Sequence, residues 1–157
     1  MIEELKKVLM RLNCGRILVM AVKELVFEKR ELTLNELAQV VADDWKSHED
    51  LRLRMLRSKR RWGNNDAEAN ALAAEIVKAY AGELNGRPNG RNGRFLANGH
   101  CARQFIVLMA HTGATPDGRL AFAPIADGVG PASGRDVHGP TATANSVAKL
   151  DHAAASN

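Results

Sequence analysis

From Thr112 to Gly139 the chain is rich in Gly and Pro and shows neither a helical nor a strand period. A loop of that length is uncommon inside a compact domain unless it is functional or lies on a larger body. It follows a short apolar run, Gln104 to Met109, containing Phe105, Ile106 and Val107. That run reads as one buried strand near residues 102–110. A lone strand leaves its backbone donors and acceptors without neighbours, and no second strand pattern lies nearby. The loop itself has too few apolar residues to fold on its own. Both features favour a piece of a larger fold over a self-contained domain.

Residues 1–85 read as helices. Leu5, Val8, Leu9 and Leu12 recur at helical spacing, and Gly15 interrupts them. Ile17, Leu18, Ala21, Val22, Leu25 and Val26 then form one apolar face. Thr33 with Glu36 fits a capping box for a helix through Leu37, Val40 and Val41. Ser47 with Asp50 gives a weaker start signal for a basic helix through Leu51, Met55 and Leu56. Gly63-Asn64-Asn65 is a turn, and Asp66 can cap an alanine-rich helix through Leu72, Ile76 and Tyr80, ended by Asn85-Gly86. From Asn85 to Gly99 the composition becomes that of a loop or linker. Pro140 is a good first helical residue, so a helix is expected over residues 140–150.

At 157 residues the chain fits one domain. A formal charge of +4 is a weak argument for a polyanionic partner. Cys14 and Cys101 are the two cysteines, which is no disulfide framework and predicts reduced thiols in the cytoplasm. The longest apolar run, Ile17 to Val22, is far short of the roughly 20 residues that span a bilayer.

Four kinds of chemistry can be weighed. His100, Cys101, His111, His138 and His152 show no zinc-type spacing, so no metal site is expected. His100 and Cys101 are adjacent, and neighbours on a strand point to opposite faces, so an activated thiol is not expected there. Gly86, Gly90 and Gly93 interleaved with Arg87, Arg91 and Arg94 suit an anion but lack the P-loop ending, and a solvated turn is the simpler reading. Arg52, Arg54, Arg57, Lys59, Arg60, Arg61 and Trp62 could meet phosphates, but a solvated helix face explains them better, which disfavours nucleic acid as a partner.

A further set of residues carries a family resemblance. Gly113-Ala-Thr-Pro-Asp-Gly-Arg119, Pro124-Ile-Ala-Asp-Gly128, Gly134-Arg-Asp136, Gly139-Pro-Thr141 and Asn145-Ser-Val-Ala-Lys-Leu-Asp-His152 occur in succession. Upstream lie Val22-Lys-Glu-Leu-Val-Phe27, Thr33-Leu-Asn-Glu-Leu37, Trp62-Gly-Asn-Asn-Asp66 and Gly93-Arg-Phe95. The whole resembles the glycyl radical enzymes, the family of pyruvate formate-lyase and the radical dehydratases. The resemblance implies an α/β fold: a fragment of a ten-stranded α/β barrel. Residues 1–157 would be a partial barrel domain, helical over 1–85, with the barrel strand, the long loop 112–139 and the helix 140–150 in residues 86–157.

The family's reaction is implied with it. A glycyl radical, installed by a radical S-adenosylmethionine activating enzyme, abstracts hydrogen from a cysteine, whose thiyl radical attacks a small-molecule substrate. The catalytic cysteine belongs to a Gly-Cys-Val-Glu-like motif, and Asn13-Cys14-Gly15-Arg16 does not match it. The radical glycine belongs to an Arg-Val-Ser-Gly-Tyr-like loop, expected beyond Asn157. The resemblance therefore implies a fragment of a radical lyase or dehydratase, inactive alone, with no catalytic residue, metal or bound cofactor of its own. His100 stands where many members carry an aromatic residue and becomes the candidate substrate-binding side chain. The full-length parent would be a cytoplasmic enzyme of anaerobic metabolism, working as a homodimer with its activating enzyme. The last motif is closer to the dehydratase and decarboxylase branches. The alternatives are a non-catalytic companion that docks on a full-length enzyme and a small basic nucleic-acid-binding protein.

Overall fold

A computed structural model of the chain describes residues 15–58, 60–98, 105–126 and 128–155. The expected first helix around Leu5 to Leu12, Cys14, His100 and Cys101 lie outside these residues. Six α-helices and one π-helical segment are described: α1 (Gly15–Val22), continuing into the π-helical Lys23–Glu28, then α2 (Leu34–Ala42), α3 (Glu49–Arg57), α4 (Ala67–Leu84), α5 (Phe105–Met109) and α6 (Gly139–Val147). None of the described helices is long and apolar enough to cross a membrane.

Local chemistry accounts for the best-defined helix starts. Thr33 caps α2: its hydroxyl accepts from the Glu36 N–H at 3.2 Å, and the Glu36 carboxylate accepts from the Thr33 N–H at 2.7 Å. Asp66 caps α4 by accepting from the Ala69 N–H at 2.8 Å. The weaker signal at Ser47 does not hold. The residue preceding α3 is His48, with no side-chain cap, and acidic Glu49 and Asp50 in the first turn complement the helix dipole instead.

Two apolar clusters form the interior. Ala21, Val22 and Leu25 meet Leu37 and Val40 of α2, Trp45 and Met55 in the first. The second gathers Trp62, Ala97, Ala132, Leu150 and Ala155 around Ala73, Val77 and Ala81 of α4. The face of α4 that is buried differs from the one its large residues mark. Ala69, Ala73, Val77 and Ala81, four apart, are buried, whereas Leu72, Ile76 and Tyr80 are half-buried on its flank. Small side chains let the irregular C-terminal backbone come close to the helix, which a leucine stripe would prevent.

The strand expected over residues 102–110 is corrected. Phe105–Met109 is a short helix, and no extended strand occurs among the described residues. An apolar run of that length fits either state. Without a neighbouring strand, only local hydrogen bonds can satisfy its backbone. The turn that follows does so: Ala110, His111 and Thr112 donate to the carbonyls of Val107, Leu108 and Met109 at 3.1–3.2 Å. Val107 and Leu108 stay exposed.

The described residues from 112 to 138 form neither helix nor strand, as the Gly- and Pro-rich composition predicts. They hold their shape by gripping the helices. The loop after α4 is likewise ordered: Phe95 donates to the Arg87 carbonyl at 2.9 Å, Gly86 to that of Phe95 at 3.0 Å, and Pro88 and Arg94 form an isolated antiparallel bridge.

Candidate functional site

The most chemically loaded place in the described chain is the Thr115-Pro116-Asp117-Gly118-Arg119 turn. Gly118 donates to the Thr115 carbonyl at 3.1 Å, and Thr115 donates back to that of Arg119 at 3.0 Å. Pro116 presets the turn, and Gly118 has φ of +87°. A Cβ at Gly118 would lie 2.8 Å from the Arg52 carbonyl and 3.2 Å from Leu56, so only glycine lets the turn sit against α3. The Trp45 indole donates to the Thr115 carbonyl at 3.2 Å, and Asp44 accepts from the Ala121 N–H at 2.7 Å.

Thr115, Asp117 and Arg119 are all buried. The Asp117 carboxylate accepts from the Thr115 hydroxyl. Arg119 donates to the carbonyls of Gly113, Leu120 and Ala123, so its guanidinium serves as a clamp on the turn's backbone. Arg52 donates to Glu49 and, at 3.3 Å, to the Gly118 carbonyl. Near Asp117 lies Arg61, which is 5% exposed. Burial pushes the Arg61 guanidinium down to about 10, the Arg135 charge adds to this, and Asp117 and Glu24 oppose it. Its Nη2 has no hydrogen-bond partner. Arg135 is also lowered, chiefly by burial, with Asp117 opposing and Arg52 and Arg119 reinforcing.

The Trp62-Gly63-Asn64-Asn65 turn is built into the same body. Trp62 donates through its indole to the Val129 carbonyl at 2.8 Å. Asn64 donates to the Arg135 carbonyl at 2.8 Å and accepts from the His138 N–H at 3.1 Å. Thr143 of α6 donates to the Gly63 carbonyl at 3.1 Å. Gly63 has φ of +92°, and a Cβ there would be 2.7 Å from the Pro131 ring.

The sequence candidates are dispersed. No group of His, Cys, Asp and Glu able to hold a metal occurs among the described residues. His138 and His152 are exposed and lie against the carbonyls of Asn64 and Val147 at 3.1 and 2.9 Å. In the Arg- and Gly-rich loop, Arg87 pairs with Glu83, Arg94 donates to the Gly86 carbonyl, and Asn89 accepts from the N–H groups of Arg91 and Gly93. Several described residues of the basic stretch around α3 are engaged within the chain, while Arg57 is exposed. Arg54 pairs with Glu31, and Arg60 with both Glu28 and Glu68, while Arg61 and Trp62 are buried. The buried arginine centre was not apparent from the sequence. Its one available signal was Asp117 and Arg119 within a Pro-Asp-Gly turn.

Comparison with known proteins places this geometry. Residues 19–102 match the family model described as pyruvate formate lyase-like. The probable dehydratase YbiW of Escherichia coli (strain K12) is 40% identical over 150 residues, covering 90% of this chain and 18% of the relative. The (2S)-3-sulfopropanediol dehydratase of Klebsiella oxytoca is 35% identical over 87% of this chain and 17% of its own length. In structure, the B12-independent glycerol dehydratase from Clostridium butyricum superposes with a TM-score of 0.83 and 38% identity, over 92% of this chain and 18% of that one. The chain thus spans less than a fifth of the length of these relatives.

Proposed function

The chain belongs to the pyruvate formate lyase-like family, and from that premise we propose that it is the scaffold segment of a glycyl radical dehydratase acting on a small hydroxylated substrate. The observation that supports a dehydratase over another branch is the likeness, along nearly the whole chain, to a probable dehydratase and to a glycerol dehydratase. Within such an enzyme this segment supplies position, not chemistry. The Thr115–Arg119 turn, clamped by Arg119 and seated on α3 through Gly118, fixes the long loop against the helices. His100 is assigned to face the substrate. The radical glycine and the catalytic cysteine belong to other segments, so the chain by itself has no turnover.

A chimaera tests this reading. The corresponding segment of the Clostridium butyricum glycerol dehydratase is replaced by this chain, and the enzyme is activated anaerobically with its radical S-adenosylmethionine activator. Glycerol dehydration is expected to persist, and His100→Phe to raise KM more than it lowers kcat. A chimaera that forms the radical yet dehydrates no diol overturns the dehydratase assignment. The isolated chain is expected to give no glycyl radical doublet in electron paramagnetic resonance. A non-catalytic companion is the second reading, favoured by the exposed Phe95, Leu96, Val107, Leu108 and Phe122, which a separate partner could cover as well as further polypeptide.

A further inference from the structure

A cleft of about 210 Å³ opens beside the Thr115–Arg119 turn, with Arg52, Arg119 and Arg135 on its walls and Leu56, Pro124 and Ala132 beside them. We propose that this cleft binds a carboxylate, held by the Arg135 guanidinium within the field of Arg52 and Arg119.

The walls of the cleft carry three arginines and no carboxylate. Arg52, Arg119 and Arg135 gather here, and the Arg61 charge is felt from nearby. The carboxylates near these arginines are Glu24, Glu49, Asp44 and Asp117. Each of these is already engaged: Glu24 with Lys29, Glu49 with Arg52, Asp44 with the Ala121 N–H and Asp117 with the Thr115 hydroxyl. Arg119 and Arg135 make no ion pair among the described residues. The donors of Arg119 point to backbone carbonyls, which leave its positive charge uncancelled. The Arg135 side chain has no hydrogen-bond partner among the described residues, although it is half-buried and repelled by two neighbouring arginines.

Cations so placed are ordinarily paired. A carboxylate matches the guanidinium fork with two parallel hydrogen bonds, which a point charge or a neutral group does not. Leu56, Pro124 and Ala132 suit a short apolar stem behind the charge. The carboxylate can come from a free acid or from an Asp or Glu side chain of another polypeptide segment.

Nuclear magnetic resonance titration of the chain with sodium acetate, at constant ionic strength set with chloride, tests the site. Saturable shifts are expected at Gly118, Leu120, Ser133 and Arg135. Acetamide should produce none. Arg135→Gln should weaken acetate binding at least about tenfold, and Arg135→Lys by less, because it keeps the charge and loses the fork. Capped aspartate, a side-chain carboxylate flanked by peptide groups, separates the two sources. Tighter binding than acetate marks a side chain from another segment, and weaker binding marks a free acid. Shifts that never saturate, equal shifts with acetamide, or unchanged binding in a folded Arg135→Gln variant would overturn the proposal. Should Arg135→Gln fail to fold, Arg135→Lys and the acetamide control decide it.

Discussion

Ser146, wholly buried in α6, accepts at its Oγ the backbone N–H of Asn65 at 2.9 Å, joining the turn before α4 to a helix 81 residues later. Asn65 has φ of +55°, so its amide is held in a conformation few residues adopt. Ser146→Ala removes the acceptor of this part-buried bond. The expected loss is about 0.5–1.5 kcal/mol, read as a lower urea midpoint at unchanged slope. An unshifted midpoint would mean that the contact contributes nothing to the fold.

Gly118→Ala should be costlier than its one added carbon suggests. The residue is left-handed, and the new Cβ meets the Arg52 carbonyl, which is backbone within a helix and cannot move aside. A loss of about 1–3 kcal/mol from conformation alone is expected, with steric strain added to it. Gly86→Ala is the control. It shares a positive φ of +81° but has open space around it, so it should lose only the conformational part. Equal losses in the two variants would show that the seat on α3 is loose.

Arg60 joins Glu28 of the π-helical segment to Glu68 of α4, and Lys23 joins the same two carboxylates. Hydrogen bonding to Arg60 holds Glu28 below its ordinary 4.5, and hydrogen bonding to Lys23 and Arg60 does so for Glu68. A depressed carboxylate contributes stability above its unfolded pKa and loses it as pH falls through the folded one. The network should therefore stabilise the chain at neutral pH and lose this from 4.5 downwards. The side chains are partly exposed, so Arg60→Met should cost below about 1 kcal/mol at neutral pH and nothing in strong acid or molar salt. Urea midpoints against pH and salt check both limits.

What could be read from the sequence was what short-range chemistry decides. Thr33 with Glu36 and Asp66 with Ala69 are caps made within one turn, so their spacing announces them. The loop after Thr112 is legible because Gly and Pro exclude regular structure locally. The Phe105–Met109 run was misread because its state depends on whether a neighbour offers hydrogen bonds, which the run itself does not encode. The helix α4 was legible, but not its buried face, because alanines carry no hydrophobic signal strong enough to mark Ala69, Ala73 and Ala81 over Leu72 and Ile76. Arg61 looked like part of a solvated face, since its burial follows from a turn more than fifty residues later in the chain.

Arg61 supplies the last prediction. Burial is the main reason its guanidinium is lowered to about 10, and above that pH the unfolded chain, with its ordinary arginine, binds more protons than the folded one. The cost of holding the charge inside is present in full at neutral pH and relieved as pH climbs past about 10. Arg61→Met removes the charge while keeping most of the volume. Asp117 retains the Thr115 hydroxyl and the Arg135 charge after the change. Stability at neutral pH should be unchanged or higher by about 1–4 kcal/mol, whereas Arg61→Ala should lower it by opening a void. The Met variant's advantage over the parent should shrink above about pH 10, where the parent's guanidinium gives up its proton. A Met variant that is markedly less stable at neutral pH would show that Arg61 is held by interactions stronger than its unpartnered Nη2 suggests.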